Sequence, residues 1–216
     1  LRKMPDTLGE RPADPASLRS MLSSYRDMLR NRDFVIYLSI CTGAYTGVLC
    51  WLSSAPFVLQ SLLGLSPLSF SITFSIGAIG YLVGTMIATR IVTRAGIVRV
   101  IGYGATLMVL GGLAMCASVA LDIASANILV AAMSIWLIGL GLVFPQALAG
   151  GLSCFADRAG AASSLLGFSP QLVAAAAGSL VVAMVGKSAW PLAIAVLMAG
   201  SAVLLLSLSL RRPLRS

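Results

Sequence analysis

Residues 34–89 place the tightest constraint on this chain, because none of these 56 consecutive residues is Lys, Arg, Asp or Glu. Only 10% of the 216 residues are charged, whereas soluble domains average about 25%. The sequence therefore predicts an all-α membrane protein that crosses the bilayer several times. The formal net charge is +8, but the basic residues cluster at the ends of apolar runs. This placement indicates that the basic residues face the surface of a lipid bilayer and do not bind nucleic acid.

Six apolar segments are long enough to cross a bilayer, which takes about 20 residues per helix. They cover residues 34–59, 69–89, 100–121, 126–155, 161–185 and 190–210. Because the connections are short, neighbouring segments run antiparallel. We therefore expect three parts: a polar segment over residues 1–33, a six-helix transmembrane domain over residues 34–210, and a short tail over residues 211–216. The pairs Ser66–Pro67 and Ser188–Pro191 predict helix starts.

Basic residues divide unequally between the two ends of the predicted bundle. One end carries eleven arginines, which are Arg19, Arg26, Arg30, Arg32, Arg90, Arg94, Arg99, Arg158, Arg211, Arg212 and Arg215. The opposite end carries Lys187 as its single basic residue. The positive-inside rule then predicts that the arginine-rich end, with both termini of this segment, faces the cytoplasm.

An amphipathic pattern precedes the first span. Apolar side chains recur at helical spacing at Leu18, Met21, Leu22, Tyr25 and Leu29, and arginines fall off that stripe. Asp14 and Pro15 suit the start of such a helix. The pattern predicts a cytoplasmic helix that lies on the membrane surface, or a linker helix that packs on the ends of the spans. The two arrangements do not exclude each other.

Two prolines interrupt apolar segments, and each is followed by a glutamine. Pro145 precedes Gln146, and Pro170 precedes Gln171. A proline inside a helix removes a hydrogen bond and bends the helix, and such breaks are tolerated in membranes where neighbours or a cavity satisfy the freed groups. The pattern is compatible with two bent helices that contribute amides to a central cavity. It is equally compatible with plain kinks whose amides join helices together.

Catalytic and metal chemistry find no support in the residues. The chain has no His, and its four cysteines lie inside apolar runs without a CxxC pair. No Asp or Glu falls at membrane depth, so neither a hydrolytic centre nor a proton relay is visible in the spans. We predict neither an enzyme nor a bound cofactor or metal.

A family resemblance enters at residues 139–167, which read GLGLVFPQALAGGLSCFADRAGAASSLLG. This stretch resembles the tenth span, the following loop and the eleventh span of major facilitator superfamily drug exporters of the Bcr/CflA type. Residues 4–8 (MPDTL) resemble the element after the sixth span, and residues 188–191 (SAWP) resemble the start of the twelfth. Residues 90–100 (RIVTRAGIVRV) resemble the second-half copy of a gating loop motif, through Arg90, Arg94, Gly96 and Arg99.

The resemblance implies the C-terminal six-helix half of a bundle in a bacterial inner membrane, with residues 1–33 from the central loop. It implies proton-coupled export of lipophilic or amphipathic drugs by alternating access, together with an N-terminal half that this sequence does not contain. The candidate substrate-binding residues are Tyr45, Trp51, Phe57, Phe144, Gln146, Phe168 and Gln171. Two positions depart from the family pattern. Thr93 replaces an Asp, and Gln171 falls one residue late, which turns its amide by about 100° around the helix.

The lack of a first half and of a span carboxylate leaves one alternative open. The chain could be a six-span protein that does not transport, as a truncated remnant or as a subunit that pairs with another half.

Overall fold

The computed structural model describes residues 18–186 and 188–210, with side chains from Ser23 onward. Its described part is helical throughout, with short connections. The helices are α1 (Leu18–Arg30), α2 (Arg32–Pro56), α3 (Pro67–Ala95), α4 (Ile97–Ala120), α5 (Ala126–Ser153), α6 (Ala159–Met184) and α7 (Trp190–Leu210). A π-helical turn at Phe57–Leu62 extends α2, and a 3-10 turn at Ala156–Arg158 precedes α6. The helices α2 to α7 form six apolar segments long enough to span a membrane, as the sequence predicts.

The helix starts follow from local hydrogen bonding. The side chain of Ser66 accepts a hydrogen bond from the Ser69 amide, and Pro67 opens α3 where no backbone donor is needed. The hydroxyl oxygen of Ser188 accepts from the Trp190 amide at 3.2 Å, so both predicted start signals are confirmed. Gly96 separates α3 from α4 with φ +80°, a conformation that favours glycine and permits an immediate reversal of the chain.

Some sequence expectations fall on residues 1–17, Lys187 and residues 211–216. They concern the MPDTL element, the start at Asp14–Pro15 and the basic tail. All of these lie outside the described residues.

The six long helices form a ring of four with one helix attached on each side. Helices α2, α5, α4 and α7 make the ring, in which each helix packs on the next and α7 closes back on α2. Helix α3 packs on α5 outside the ring, and α6 packs on α2 in the matching position. Exchanging α2, α3 and α4 with α5, α6 and α7 reproduces the same set of contacts. The bundle is therefore built from two three-helix units with the same packing plan.

Trp136 on α5 occupies the centre of the ring. Its side chain is fully buried, and its indole N–H donates a hydrogen bond to the Val196 carbonyl of α7 at 3.3 Å. The indole ring of Trp136 lies against Gly47 of α2, where an added Cβ would overlap the indole. Gly111 of α4 lies against the backbone of Trp136. A Cβ built on Gly111 would lie 2.8 Å from the Trp136 backbone nitrogen. Trp136 of α5 thus contacts the other three helices of the ring, and two glycines make room for it.

Close helix crossings elsewhere also depend on glycine. A Cβ built on Gly104 of α4 would lie 2.6 Å from the Gly139 carbonyl oxygen of α5. A Cβ built on Gly80 of α3 would lie 2.8 Å from the Ser134 carbonyl oxygen, and Gly84 is closer still to the Ile138 carbonyl. These glycines let the helix backbones come into close contact. In lipid the hydrophobic effect does not draw helices together, so such close packing stabilises their association. Glycine therefore permits tight packing of the bundle at these crossings.

Helix α1 lies against the ends of α2 and α6. Met28 is fully buried, and the Tyr25 hydroxyl is 2.9 Å from the Ser164 hydroxyl of α6. The Asp27 carboxylate lies 3.8 Å from the Arg158 guanidinium. These contacts show a helix packed on the ends of the spans, which is one of the two arrangements that the sequence left open. Its placement on a cytoplasmic membrane surface stays a prediction.

Candidate functional site

A cavity of about 280 Å³ opens between α2, α3 and α5. Each helix contributes residues at helical spacing, so that one stripe per helix faces the space. The lining residues are Tyr45, Val48, Trp51 and Leu52 from α2, Phe74, Ala78 and Tyr81 from α3, and Leu137, Leu140 and Phe144 from α5. The cavity therefore depends on three helices that are distant in sequence.

Aromatic rings dominate the cavity wall and contact one another. Tyr45 and Phe144 lie 5.8 Å apart between ring centroids, in a tilted arrangement that joins α2 to α5. Trp51 stacks on Phe74 at 6.4 Å with an interplanar angle of 8°, which joins α2 to α3. Phe70 packs behind Phe74 at 5.3 Å. These separations are in the range of favourable aromatic pairs, so the wall is held in place by its own contacts.

The cavity is closed toward the bundle core and open on one side. Trp51 and Leu140 are buried, whereas 44% of Leu52 is exposed at the rim. The lining side chains carry few polar atoms, which belong to the hydroxyls of Tyr45 and Tyr81 and to the indole nitrogen of Trp51. An apolar, aromatic recess with a small number of polar groups suits flat lipophilic molecules.

The structure brings together three of the seven candidate substrate-binding residues. Tyr45, Trp51 and Phe144 all line the cavity. Phe57 lies in the π-helical turn after α2, and Phe168 lies on the outer side of α6 with 68% of its surface exposed. Neither residue lines this cavity, and their role in substrate binding stays a prediction.

The two glutamines occupy different environments. Gln146 of α5 is 9% exposed. It shares a helical face with Gly139 and Gly150, and Gly150 packs on Tyr37 of α2. It therefore points into the ring and not toward the cavity. No hydrogen bond within the described part of the chain uses its amide. Gln171 is exposed on α6. The cavity thus contains neither amide.

Both prolines lie inside unbroken helices. Pro145 stands within α5, and the carbonyl that its ring faces belongs to Gly141. Gly141 closely approaches α3, because a Cβ built on Gly141 would lie 2.5 Å from the Tyr81 carbonyl oxygen. Pro170 is buried within α6, on the helical face that includes Leu166 and Ala174. The prolines therefore lie at helix contacts, whereas the glutamines that follow them point elsewhere.

Sequence reasoning overlooked Phe74 and Tyr81 of α3. Phe74 follows Phe70 by four residues, and Tyr81 follows Phe74 by seven. Both spacings keep the side chains on one helical face. The glycines Gly77, Gly80 and Gly84 mark the neighbouring face, which packs on α5. The pattern of an aromatic stripe beside a glycine stripe on α3 was a usable signal for this site.

Hydroxyl side chains in the spans mostly bond to their own helix. Thr42 donates to the Leu38 carbonyl at 2.8 Å, and Thr85 donates to the Tyr81 carbonyl at 2.9 Å. Ser54 of α2 is different, because its hydroxyl is buried and has no hydrogen-bond partner among the described residues.

The described carboxylates lie at helix ends or in connections, apart from Asp27 on α1, which precedes the spans. Asp33 is in the first turn of α2, Asp122 is in the α4–α5 connection, and Asp157 is in the 3-10 turn before α6. The described spans therefore hold no acidic group at the level of the cavity.

The four residues of the proposed loop motif come together at the α3–α4 turn. Arg90 and Arg94 lie on the last two turns of α3, Gly96 forms the reversal, and Arg99 lies on the first turn of α4. All three arginines are exposed. Within the residues that the structure describes, none of the three forms an ion pair.

Comparison with known families agrees with this architecture. Residues 2–179 match the family model described as Major Facilitator Superfamily. The chain belongs to the Major Facilitator Superfamily. Its six apolar helices form one half-bundle of that superfamily, whose members are multi-pass membrane transporters.

Individual relatives from this superfamily are similar over most of the chain. An uncharacterized MFS-type transporter, YdgK of Bacillus subtilis (strain 168), is 27% identical over 85% of this chain and 44% of its own length. Multidrug resistance protein D of Escherichia coli (strain K12) is 27% identical over 77% of this chain and 41% of its own. The multidrug transporter MdfA of Edwardsiella ictaluri (strain 93-146) is 31% identical over 65% of this chain and 34% of its own. The chain spans less than half the length of these relatives.

Proposed function

We propose that this chain forms the C-terminal half of a transporter that exports lipophilic or amphipathic drugs. The aromatic cavity between α2, α3 and α5 is the observation that carries this proposal. Its walls offer stacking surfaces and few hydrogen-bonding groups, a combination that holds flat apolar molecules without demanding one particular shape. The names of two relatives, which describe multidrug transport, support the same substrate class.

Alternating access is the proposed mechanism. The cavity opens on the side of the bundle where α2, α3 and α5 meet, and an N-terminal half would cover this side. Rocking of the two halves would then expose the ligand to one membrane face at a time. We place the protein in a bacterial inner membrane, with the arginine-rich end toward the cytoplasm.

Protons are the proposed coupling ion, and the described spans limit where they can bind. Asp33, Asp122 and Asp157 lie at helix ends and not beside the cavity. A proton relay in a membrane generally needs an acidic or histidine side chain at depth. The proposal therefore assigns proton binding to the N-terminal half and ligand contact, in part, to this half.

Ligand affinity of the full-length transporter tests the cavity. Phe144→Ala and Phe74→Ala each remove one aromatic wall, and we expect the dissociation constant of ethidium to rise about tenfold or more, since a buried phenyl ring contributes about 1.5–3 kcal/mol. Tyr103→Ala is the matched control, because Tyr103 on α4 is 53% exposed and does not line the cavity. Fluorescence titration in liposomes measures the affinity. Equal affinities in all four proteins would exclude this cavity as the binding site.

The alternative of a six-span protein that does not transport is not favoured by the family match. Drug-dependent proton uptake into liposomes that contain both halves, set against liposomes with this half alone, separates the two. Transport with both halves supports the proposal, and its absence with both halves supports the alternative.

A further inference from the structure

An open hollow of about 760 Å³ lies at the arginine-rich end of the bundle, away from the aromatic cavity. Its walls come from the end of α3, the first turn of α4 and the end of α7. The lining residues are Val92, Ala95, Gly96, Ile97, Val98, Arg99 and Leu210. Five of these seven are apolar, and one carries a guanidinium group. The hollow therefore combines an apolar floor with a positive charge at the level where a helix bundle leaves the bilayer.

Among the residues that the structure describes, no acidic side chain neutralises the positive charge at this hollow. Arg99 lines the hollow, and Arg90 and Arg94 lie on the last two turns of α3. In the described ranges, carboxylates pair only with Arg158, at the separate α5–α6 connection. The amide end of α4 also meets the hollow, and a helix start carries partial positive charge. The charges here thus share one sign and have no internal counter-ion among the described residues.

We propose that this hollow binds one anionic phospholipid of the adjacent leaflet. The phosphate and headgroup would meet Arg99 and Arg94, and an acyl chain would cover Val92, Val98 and Leu210. A soluble anion would satisfy the arginines but would leave the apolar walls exposed. A zwitterionic lipid would cover the walls but would bring no net charge. The combination of both features favours an anionic lipid, as basic recesses between membrane helices do.

The proposal gives the loop motif a role other than gating. It concerns a different part of the bundle from the drug cavity, and it can be measured without any drug. Failure of one proposal therefore leaves the other unaffected.

Lipid retention by the purified full chain provides the test. The protein is exchanged into detergent with phosphatidylglycerol or phosphatidylcholine, and retained lipids are counted by native mass spectrometry. We expect one phosphatidylglycerol to be retained about thirtyfold more tightly than phosphatidylcholine, an effect of the size that two arginines at a membrane surface produce. Inorganic phosphate at equal concentration is expected not to displace it.

Three variants separate a defined site from general attraction. Arg94→Gln with Arg99→Gln removes the arginine that lines the hollow and its neighbour at the end of α3, and should abolish the preference for phosphatidylglycerol. Arg26→Gln with Arg30→Gln removes two exposed charges from α1 and should leave the preference intact. Val98→Trp fills the apolar wall without changing charge and should weaken retention of the lipid. Circular dichroism of each variant verifies that the helices are intact.

Several outcomes would overturn the proposal. Equal retention of both lipids in the wild-type protein would show that the hollow does not select for charge. Equal losses in the two double variants would indicate diffuse attraction to the whole arginine-rich end. Displacement by inorganic phosphate, or full retention in Val98→Trp, would assign the arginines to a soluble anion or to no ligand.

Discussion

Ser54 is the residue whose surroundings depart most clearly from the rest of the spans. Its side chain is 1% exposed, and its hydroxyl has no hydrogen-bond partner within the described residues. Ser118 on α4 is similarly buried, but its hydroxyl donates to the Met115 carbonyl at 2.8 Å. A buried polar group without a partner costs about 1–3 kcal/mol, whereas a bonded one costs little. The two serines thus form a natural pair for comparison.

Replacement of each serine by alanine should give different results. Ser54→Ala removes an unsatisfied hydroxyl and is expected to raise the thermal unfolding midpoint, or to leave it unchanged. Ser118→Ala removes a hydrogen bond and is expected to destabilise the protein by about 0.5–1.5 kcal/mol. Thermal unfolding in detergent, followed by circular dichroism, measures both changes. If Ser54→Ala were the more destabilising of the two, Ser54 would have to bond to a group outside the described chain.

Gln146 shows how far a single residue could be anticipated. An amide in an apolar segment correctly indicated an unusual position, since Gln146 is one of the few polar residues buried in the described chain. Its direction was not readable from the sequence. The face shared with Gly139 and Gly150 becomes visible only when those glycines are seen to pack on α4 and α2. Its role in substrate binding stays a prediction.

At the scale of helices, the contact between α3 and α5 depends on Gly84. The built Cβ of an alanine there would lie 2.9 Å from the Ile138 carbonyl carbon, so the two helices would have to separate. Gly167 on α6 is helical too, but nothing lies within 4 Å of its built Cβ. The same substitution therefore has opposite consequences at the two sites.

Gly84→Ala should destabilise the bundle by about 1–3 kcal/mol, the usual cost of overpacking a close contact. Gly167→Ala should leave stability unchanged or raise it by up to about 1 kcal/mol, because alanine has the higher helix propensity. Unfolding midpoints of the two variants and the wild type provide the measurement. Similar midpoints for both variants would mean that α3 moves on α5 at no cost.

Element positions were predictable because they depend on local sequence. Apolar length identified the six spans, and the serine and proline signals identified two helix starts. The π-helical turn at Phe57–Leu62 was not anticipated, although Pro56 directly before it removes a backbone donor. The cavity was anticipated only in part. Its wall requires α2, α3 and α5 to converge, and this convergence is set by glycine contacts between segments that are far apart in the chain.

At the scale of the whole molecule, charge is distributed unequally between the two ends. Arginines of the described residues lie at the end formed by the α3–α4 turn, the α5–α6 connection and the start of α2. Asp122 is the charged residue that the structure describes at the other end. Such an asymmetry determines how the bundle inserts, because arginine-rich connections stay on the cytoplasmic side.

Cysteine labelling in cells tests this orientation. In the full-length protein with Cys41, Cys50, Cys116 and Cys154 replaced by alanine, Ile123→Cys and Ala156→Cys place single thiols at opposite ends. Both positions are exposed. A membrane-impermeant maleimide should label Ile123→Cys in intact cells, and Ala156→Cys only after permeabilisation. The reverse pattern would contradict the orientation.

The packing of the four-helix ring has a consequence for the order in which the protein can assemble. Helix α2 is made before the other five described spans, yet its main neighbours among them are α5, α6 and α7. A ribosome that has completed α4 has therefore released α2 without any of these neighbours, and Gly47 has not yet met Trp136. During synthesis α2 must wait in the lipid, or at the insertion machinery, until the second three-helix unit emerges. Helix α7 then closes the ring against α2.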